Sequence, residues 1–127
     1  MNPNARAAYL DASIATASPA RLLIMLFDRL QLDIGRALEA QESGDHQAAH
    51  NQLLHAQAIV MELRVSLKPE LFDGGPALAG LYDFLHDQLI QANIRRDPAV
   101  TRECQMLAGQ LGDTWREAAM QLAVRAS

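Results

Sequence analysis

Apolar residues recur every three or four positions along most of the chain, which is the spacing of an α-helix. Four stretches show this pattern, and in each the apolar positions form a stripe along one face. No stretch alternates with period two, so the pattern predicts no β-strand. The stripes expected to pack the core are Leu23, Leu26, Phe27, Leu30, Ile34 and Leu38, then Ala49, Leu53, Ala56, Val60, Leu63 and Leu67, then Leu78, Leu81, Tyr82, Leu85, Leu89 and Ala92, and last Val100, Cys104, Leu107, Leu111, Trp115, Ala118 and Leu122.

Residues that cap helices separate the first two stretches. Ser18 followed by Pro19 is typical of an N-cap with proline at the first helical position. The first helix is predicted to end near Glu42, because Gly44 suits a left-handed C-cap. Asp45 follows at once and is suited to cap the second helix.

Proline and glycine give the remaining helix bounds. Proline lacks the N–H of a helix interior and restricts the residue before it, so it marks a helix end or a first position. A loop rich in glycine and proline separates the second helix from the third. The predicted helices therefore run to about Leu67, from Pro76 or Ala77 to near Arg96, and from Pro98 to about Val124, with a short extra helix from Pro3 to about Ile14.

Four amphipathic helices with mostly short connections favour an all-α fold, an antiparallel up-down four-helix bundle. A chain of 127 residues fits one domain that can bury a core unaided. We expect residues 18–124 to form the bundle, and residues 1–17 to form a short mobile helix or cap segment.

Two helices carry more apolar residues than one core-facing stripe needs. Such a helix uses about three positions in seven, whereas residues 20–38 hold twelve apolar positions and residues 49–67 hold eleven. The surplus is ordered, since on the second helix it forms another stripe about 100° round from the first. The additional positions are Leu22, Met25 and Leu32 on the first helix and Leu54, Ala58, Met61 and Val65 on the second.

Two interpretations of this additional stripe remain open. In the first, a middle helix that touches two neighbours buries both of its stripes inside the bundle, and the N-terminal helix simply completes the core. Alternatively, the stripe forms an exposed groove that receives a partner helix, and methionine suits a surface that accepts varied shapes. In that case Tyr9, Leu10 and Ile14 of the N-terminal segment would cover the empty groove.

Composition and charge exclude several classes of function. Asp plus Glu number 15 against 11 Lys plus Arg, and this net charge of −4 argues against a nucleic-acid surface. The longest strongly apolar run, residues 22–27, is too short to insert in a bilayer, which takes about 20 residues. The single cysteine and the lack of a secretory signal favour a cytoplasmic protein.

No group of residues is arranged for catalysis. His46 and His50 have the i, i+4 spacing of metal ligands, but a zinc site needs three or four ligands. Cys104 lies on a core stripe, so we expect a buried thiol rather than a nucleophile. We therefore predict a binding protein without catalytic residues, cofactor or metal. Four acidic residues are expected to be solvated, namely Asp28, Asp33, Asp83 and Asp87.

A second class of function stays open, the histidine phosphotransfer bundle. His50 or His55 would then carry the phosphoryl group on an exposed helix face. Such proteins place lysine and glycine just after the histidine. Here His50 is followed by Asn51-Gln52-Leu53-Leu54, which disfavours this alternative.

A series of short motifs resembles one family, the flagellar secretion chaperones of the FliS type. The resemblance covers nearly the whole chain, and the motifs fall on the predicted helix boundaries. In order, they are Tyr9, Thr16-Ala17-Ser18-Pro19, Leu22, Met25-Leu26-Phe27-Asp28, Gly44-Asp45, Leu81-Tyr82-Asp83-Phe84, Gln91-Ala92-Asn93-Ile94-Arg95 and Trp115.

The resemblance implies a cytoplasmic bundle that binds the disordered C-terminal segment of flagellin. It also implies that binding prevents premature polymerisation and aids delivery to the flagellar export gate. By the matching motifs, Tyr9 and the residues before Ser18 would be a cap that moves on binding, and Leu22 and Met25 would lie at the groove. Arg29 departs from the family, which often has glycine there, and would narrow the groove or pair with an acidic partner residue. Whether free copies form a homodimer through the groove is left open.

Overall fold

A computed structural model of the chain describes residues 18–71 and 73–126, with side chains as far as Gln121. This part is all-α, as predicted, and contains no strand within those ranges. The short helix predicted for residues 3–14 lies outside it. The helices are α1 (Pro19–Glu42), α2 (His46–Ser66), α3 (Gly75–Arg95) and α4 (Pro98–Ala126), with a 3-10 turn at Pro69–Leu71 between α2 and α3.

The helix bounds agree with the predicted bounds to within two residues, and the caps explain why. The Ser18 hydroxyl accepts a hydrogen bond from the Arg21 amide at 3.2 Å at the start of α1. Gly44 has φ +78°, the left-handed conformation that the turn after α1 requires. The Asp45 carboxylate then accepts a hydrogen bond from the Ala48 amide at 3.1 Å and begins α2. These bonds satisfy amide groups that a helix cannot pair within itself.

The four helices form an antiparallel ring in which each packs on its neighbours in sequence and α1 also packs on α4. Contacts between α2 and α3 show the direction. Arg64 of α2 pairs with Asp83 of α3, and His50 of α2 contacts Asn93 of α3. Residue numbers thus rise along one helix as they fall along the next, which confirms the up-down topology.

The core lies where the four predicted stripes meet. Its largest fully buried side chains include Phe27, Leu30, Leu53, Leu63 and Tyr82, and half-buried apolar residues such as Leu23, Leu78 and Trp115 pack against it. Among the stripe residues whose side chains are described, the exception is Leu81, which was predicted to be core but is 42% exposed. Leu122 lies beyond those side chains. Leu81 lies at the edge of the α3 stripe, where helical rotation of about 100° per residue turns it out of the buried face.

One end of the bundle is closed by buried polar groups. Gln41 near the end of α1 donates a hydrogen bond to the carbonyl of Ala92 at 3.2 Å. It also accepts one from the hydroxyl of Thr101 at 2.6 Å. These bonds join α1, α3 and α4, and among the described residues every buried side-chain N or O atom has a hydrogen-bond partner. We call this the polar end (Gln41, Ala92 and Thr101).

Aromatic residues connect the helices toward the other end. The Trp115 indole N–H of α4 donates to the Tyr82 hydroxyl of α3 at 2.9 Å. The rings of Phe27 and Tyr82 lie 6.3 Å apart between centroids, so α1 joins the same cluster. Burial raises the pKa of Tyr82, and the bond from Trp115 opposes that rise. Trp115 therefore packs on the core, as predicted.

Cys104 of α4 is buried, as its place on the core stripe predicts. Burial, with a smaller contribution from the neighbouring Glu103, raises the pKa of the Cys104 thiol to about 12. The thiol therefore stays protonated and acts as a small apolar group. Within the described ranges, the helices are too polar or too short to cross a bilayer.

Candidate partner-binding site

An open cleft lies between the first turns of α1 and the last turns of α2. Its volume is about 750 Å³, within the range of pockets that enclose several side chains of a ligand. Because α1 and α2 run antiparallel, the apolar start of α1 lies beside the end of α2 at this cleft. We call it the α1–α2 cleft, and its lining includes Leu22, Met25, Leu26, Arg29, His55 and Glu62.

Three residues singled out from the sequence line this cleft. Leu22 and Met25 supply part of its apolar wall, and Arg29 lies beside them with half of its side chain exposed. Their place in one cleft matches the expectation that they lie at a groove, although what they bind stays a prediction. Tyr9, Leu10 and Ile14 lie outside the described residues.

The additional stripe of α2 does not line the cleft and lies on the outer side of the helix. We call it the outer stripe (Leu54, Ala58, Met61 and Val65). Leu54 is 46% exposed, Met61 47% and Val65 77%. Among the described helices these side chains are therefore not core, and the interpretation that α2 buries both of its stripes against its neighbours is wrong. The alternative that the N-terminal helix completes the core concerns residues outside the described part of the chain. The outer stripe is an exposed apolar face next to the cleft, of the kind that often marks a binding surface.

Asp33 corrects a prediction, because it was expected to be solvated and is instead fully buried, with 0% of its surface exposed. One carboxylate oxygen accepts a hydrogen bond from Nε of Arg29 at 3.0 Å. The other oxygen contacts Nδ1 of His55 on α2. A buried carboxylate needs such partners, since burial of an unpaired charge is costly.

Sequence reasoning had one available signal for this cluster. Arg29 and Asp33 are four residues apart, a spacing that places opposite charges side by side on a helix. The contact of Asp33 with His55 had no such signal, because it joins two helices and depends on how α1 is rotated against α2. Arg29 consequently has an acidic partner within the chain, in addition to any that a bound protein supplies.

Two other histidines face a smaller pocket of about 420 Å³ near the polar end, which is lined in part by His46, His50 and Asn93. Nδ1 of His50 accepts a hydrogen bond from the Asn93 amide at 2.9 Å. Across the described residues, no three His, Cys, Asp or Glu side chains come close enough together to hold a metal ion.

Comparison with known proteins gives one consistent family. The family model described as "Flagellar protein FliS" matches residues 1–122 of this chain. A flagellar secretion chaperone FliS of Bacillus subtilis (strain 168) is 30% identical over 115 residues, which cover 91% of this chain and 86% of that protein. A flagellar secretion chaperone FliS of Escherichia coli (strain K12) is 31% identical over 110 residues, covering 85% and 81%.

The fold is similar to that of a solved structure described as a flagellar chaperone from bacteria. The TM-score is 0.74 at 22% sequence identity, and the match covers 93% of this chain and 97% of the other. At this identity the likeness concerns the fold, and it extends over nearly all of both chains.

Proposed function

The chain belongs to the FliS family of flagellar secretion chaperones, and we propose that it holds the disordered C-terminal segment of flagellin against its exposed apolar surface. A covered segment cannot polymerise in the cytoplasm, and it stays available for delivery to the flagellar export gate. Such holding needs binding and release but no covalent step, so it requires no catalytic residue, cofactor or metal.

The exposed apolar surface of α1 and α2 is the observation that supports this proposal. The α1–α2 cleft and the outer stripe lie side by side on neighbouring helices. A segment that folds as it binds spends about 2–5 kcal/mol of its interaction energy on ordering. Burial of apolar area, at about 25 cal/mol per Å², offsets that cost without making release impossible.

Within this proposal the residues have separate roles. Leu22, Met25 and Arg29 contact the segment in the cleft, and the outer stripe packs against its apolar face. Residues 1–17 cover part of this surface while no partner is bound, with Tyr9, Leu10 and Ile14 as the covering side chains. The family favours this function over phosphotransfer at His50 or His55.

Substitutions on the outer stripe test the proposal. Met61→Asp and Val65→Asp should each weaken binding of the flagellin C-terminal segment more than about 10-fold, since each places a charge in an apolar contact. Both side chains are exposed, so helicity and thermal stability should stay near those of the unchanged protein. Calorimetric titration with the C-terminal segment of the flagellin encoded in the same genome as this protein measures the affinity. Circular dichroism measures the helicity.

Met106→Asp is the matched control, because Met106 is a similarly exposed methionine on α4, away from the cleft. It should leave the affinity unchanged. If Met61→Asp and Val65→Asp bind the segment as tightly as Met106→Asp does, the outer stripe is not part of the binding surface. No binding by the unchanged protein would overturn the proposed function.

Removal of residues 1–17 tests the covering role. The shortened protein should bind the flagellin segment more tightly and bind more of a dye that reports exposed apolar surface. Light scattering on the same samples shows whether the uncovered surface pairs two copies. If neither dye binding nor affinity changes, residues 1–17 are not a cover.

A further inference from the structure

Arg29 lies in the α1–α2 cleft, and its guanidinium is bound by a buried carboxylate on the same helix. Its Nε donates to Asp33 at 3.0 Å, and Asp33 is fully buried. The second oxygen of Asp33 contacts His55, so the carboxylate that holds Arg29 is itself fixed between two helices. The guanidinium therefore has a set position at the edge of an apolar surface.

Nη1 and Nη2 of Arg29 are the groups that this arrangement leaves for a ligand. Among the described residues they donate to no side chain or carbonyl, and half of the Arg29 side chain is exposed. A guanidinium bound through Nε still presents N–H donors with the planar geometry that matches a carboxylate. Because the Arg29 side chain is already ordered, it loses less conformational freedom when a ligand binds to it.

Apolar neighbours define the rest of the ligand. Leu22, Met25 and Leu26 line the same cleft beside Arg29. A hydrogen bond to a charged group is stronger where water is excluded, which favours a carboxylate that arrives with apolar side chains next to it. Glu62 also lines the cleft, and within the part of the chain described it does not pair with Arg29. Its negative charge repels carboxylates, so the cleft favours a ligand with one carboxylate over a ligand with two.

We propose that Arg29 is a specificity residue of the cleft, and that it binds one carboxylate of the partner segment, from an Asp or Glu flanked by apolar residues. This inference rests on the proposed function, since it names the chemistry of the same partner. On this inference Arg29 binds the carboxylate of the partner, and buried Asp33 is a positioning residue that orients the Arg29 guanidinium.

The test is a double-mutant cycle between Arg29 and the acidic residues of the flagellin C-terminal segment. Arg29→Met keeps the aliphatic length but removes the charge, and it should weaken binding about 10-fold in ~50 mM salt. Arg29→Lys keeps the charge and loses the planar donors, so a loss of about 3-fold is expected. Glu62→Gln should strengthen binding, because it removes a repulsive charge.

One acidic position of the segment should account for these changes. Its replacement by the matching amide should weaken binding to the unchanged protein as much as Arg29→Met does, with no further loss when both are combined. Arg36→Met is the control, since Arg36 is an exposed arginine two turns along the same edge of α1 and does not line the cleft. It should leave the affinity unchanged.

Unchanged affinity of the Arg29→Met protein, or the absence of any coupled acidic position, would overturn the inference and leave the proposed function intact. If the unchanged protein does not bind the segment, the proposed function fails. In that case the inference is tested with two designed amphipathic peptides. They differ at one position beside their own apolar face, which is Glu in one peptide and Gln in the other. Preference for the Glu peptide that disappears in Arg29→Met supports it, and equal affinity refutes it.

Discussion

Asp33 shows how one side chain can join two helices beneath a binding surface. It lies on the face of α1 that meets α2, where a carboxylate is stable only because Arg29 and His55 both contact it. Both partners are about half exposed, so their contribution to the folded state is reduced by water. The residue thus supports the position of α1 against α2 more than it adds to the overall stability.

Replacement of Asp33 by alanine should lower the free energy of unfolding by about 1–3 kcal/mol, the usual effect of losing hydrogen bonds to a charged group. The loss stays below that of a fully buried ion pair, because Arg29 and His55 regain water. Urea unfolding measures it. Asp87→Ala is the control, since Asp87 is exposed, and its effect should stay within about 0.5 kcal/mol. Equal effects at both positions would contradict the structural role of Asp33.

Cys104 should make the stability fall at alkaline pH. Its thiol has a reference pKa of 9.0, and burial raises the pKa to about 12 in the folded protein. Well below pH 9 both states keep the proton, and this group does not change the stability. Between these two values the unfolded chain loses the proton and the folded chain keeps it, so stability declines as the pH rises. At pH ~10.5 the decline from this group is about 2 kcal/mol.

Urea unfolding at pH ~8 and ~10.5 measures this decline, and Cys104→Ala provides the comparison. The variant should lose less stability between the two pH values, although Tyr82, whose pKa is also raised by burial, contributes to both proteins. The same decline in the variant would show that the thiol is not responsible.

The ends of the helices could be predicted from the sequence because their causes are local. Ser18, Gly44 and Asp45 act on amide groups within a few residues, and the structure has the caps where the sequence predicts them. Burial depends on neighbouring helices. The exposure of Leu81 and the burial of Asp33 therefore required the rotation of α1 and α3 in the bundle, which periodicity does not contain.

The same limit applies to the candidate site. The surplus of apolar residues on α1 and α2 could be counted from the sequence, and Leu22 and Met25 could be assigned to a groove. That Met61 and Val65 lie on an outer face rather than in the core followed only from the packed bundle. The contact of His55 with Asp33 likewise joins positions that are 22 residues apart.

At the scale of an element, the start of α3 depends on the absence of a side chain. Gly75 is buried against the 3-10 turn, and a Cβ atom there would overlap the carbonyl of Pro69. Gly75→Ala should destabilise the protein by about 1–3 kcal/mol, because backbone must move. Gly80, in the same helix, is exposed with open space around it, so Gly80→Ala should stabilise by about 0.5–1 kcal/mol. Thermal unfolding of both variants checks the opposite signs, and a shared sign would contradict the account.

At the scale of the molecule, the four helices share one core, so we expect them to unfold together. The sequence has one tryptophan, and Trp115 reports the contact between α3 and α4 through its bond to Tyr82. Circular dichroism reports all the helices. Urea transitions followed by the two signals should have the same midpoint. Separate midpoints would show that the region around Trp115 unfolds independently of the rest.

The bundle is expected to be stiffer at the polar end than at the end with the α1–α2 cleft. There Gln41 joins α3 and α4 to α1 through directional bonds that tolerate little displacement. Toward the opposite end, the first turns of α1 and the last turns of α2 border the open α1–α2 cleft. The contact of Asp33 with His55 joins the two helices beside it. We expect slow amide hydrogen exchange around Gln41 and Thr101 and faster exchange in the first turns of α1. We therefore expect a bound chain to enter and leave at the cleft, with the helices there moving apart more readily than at the polar end.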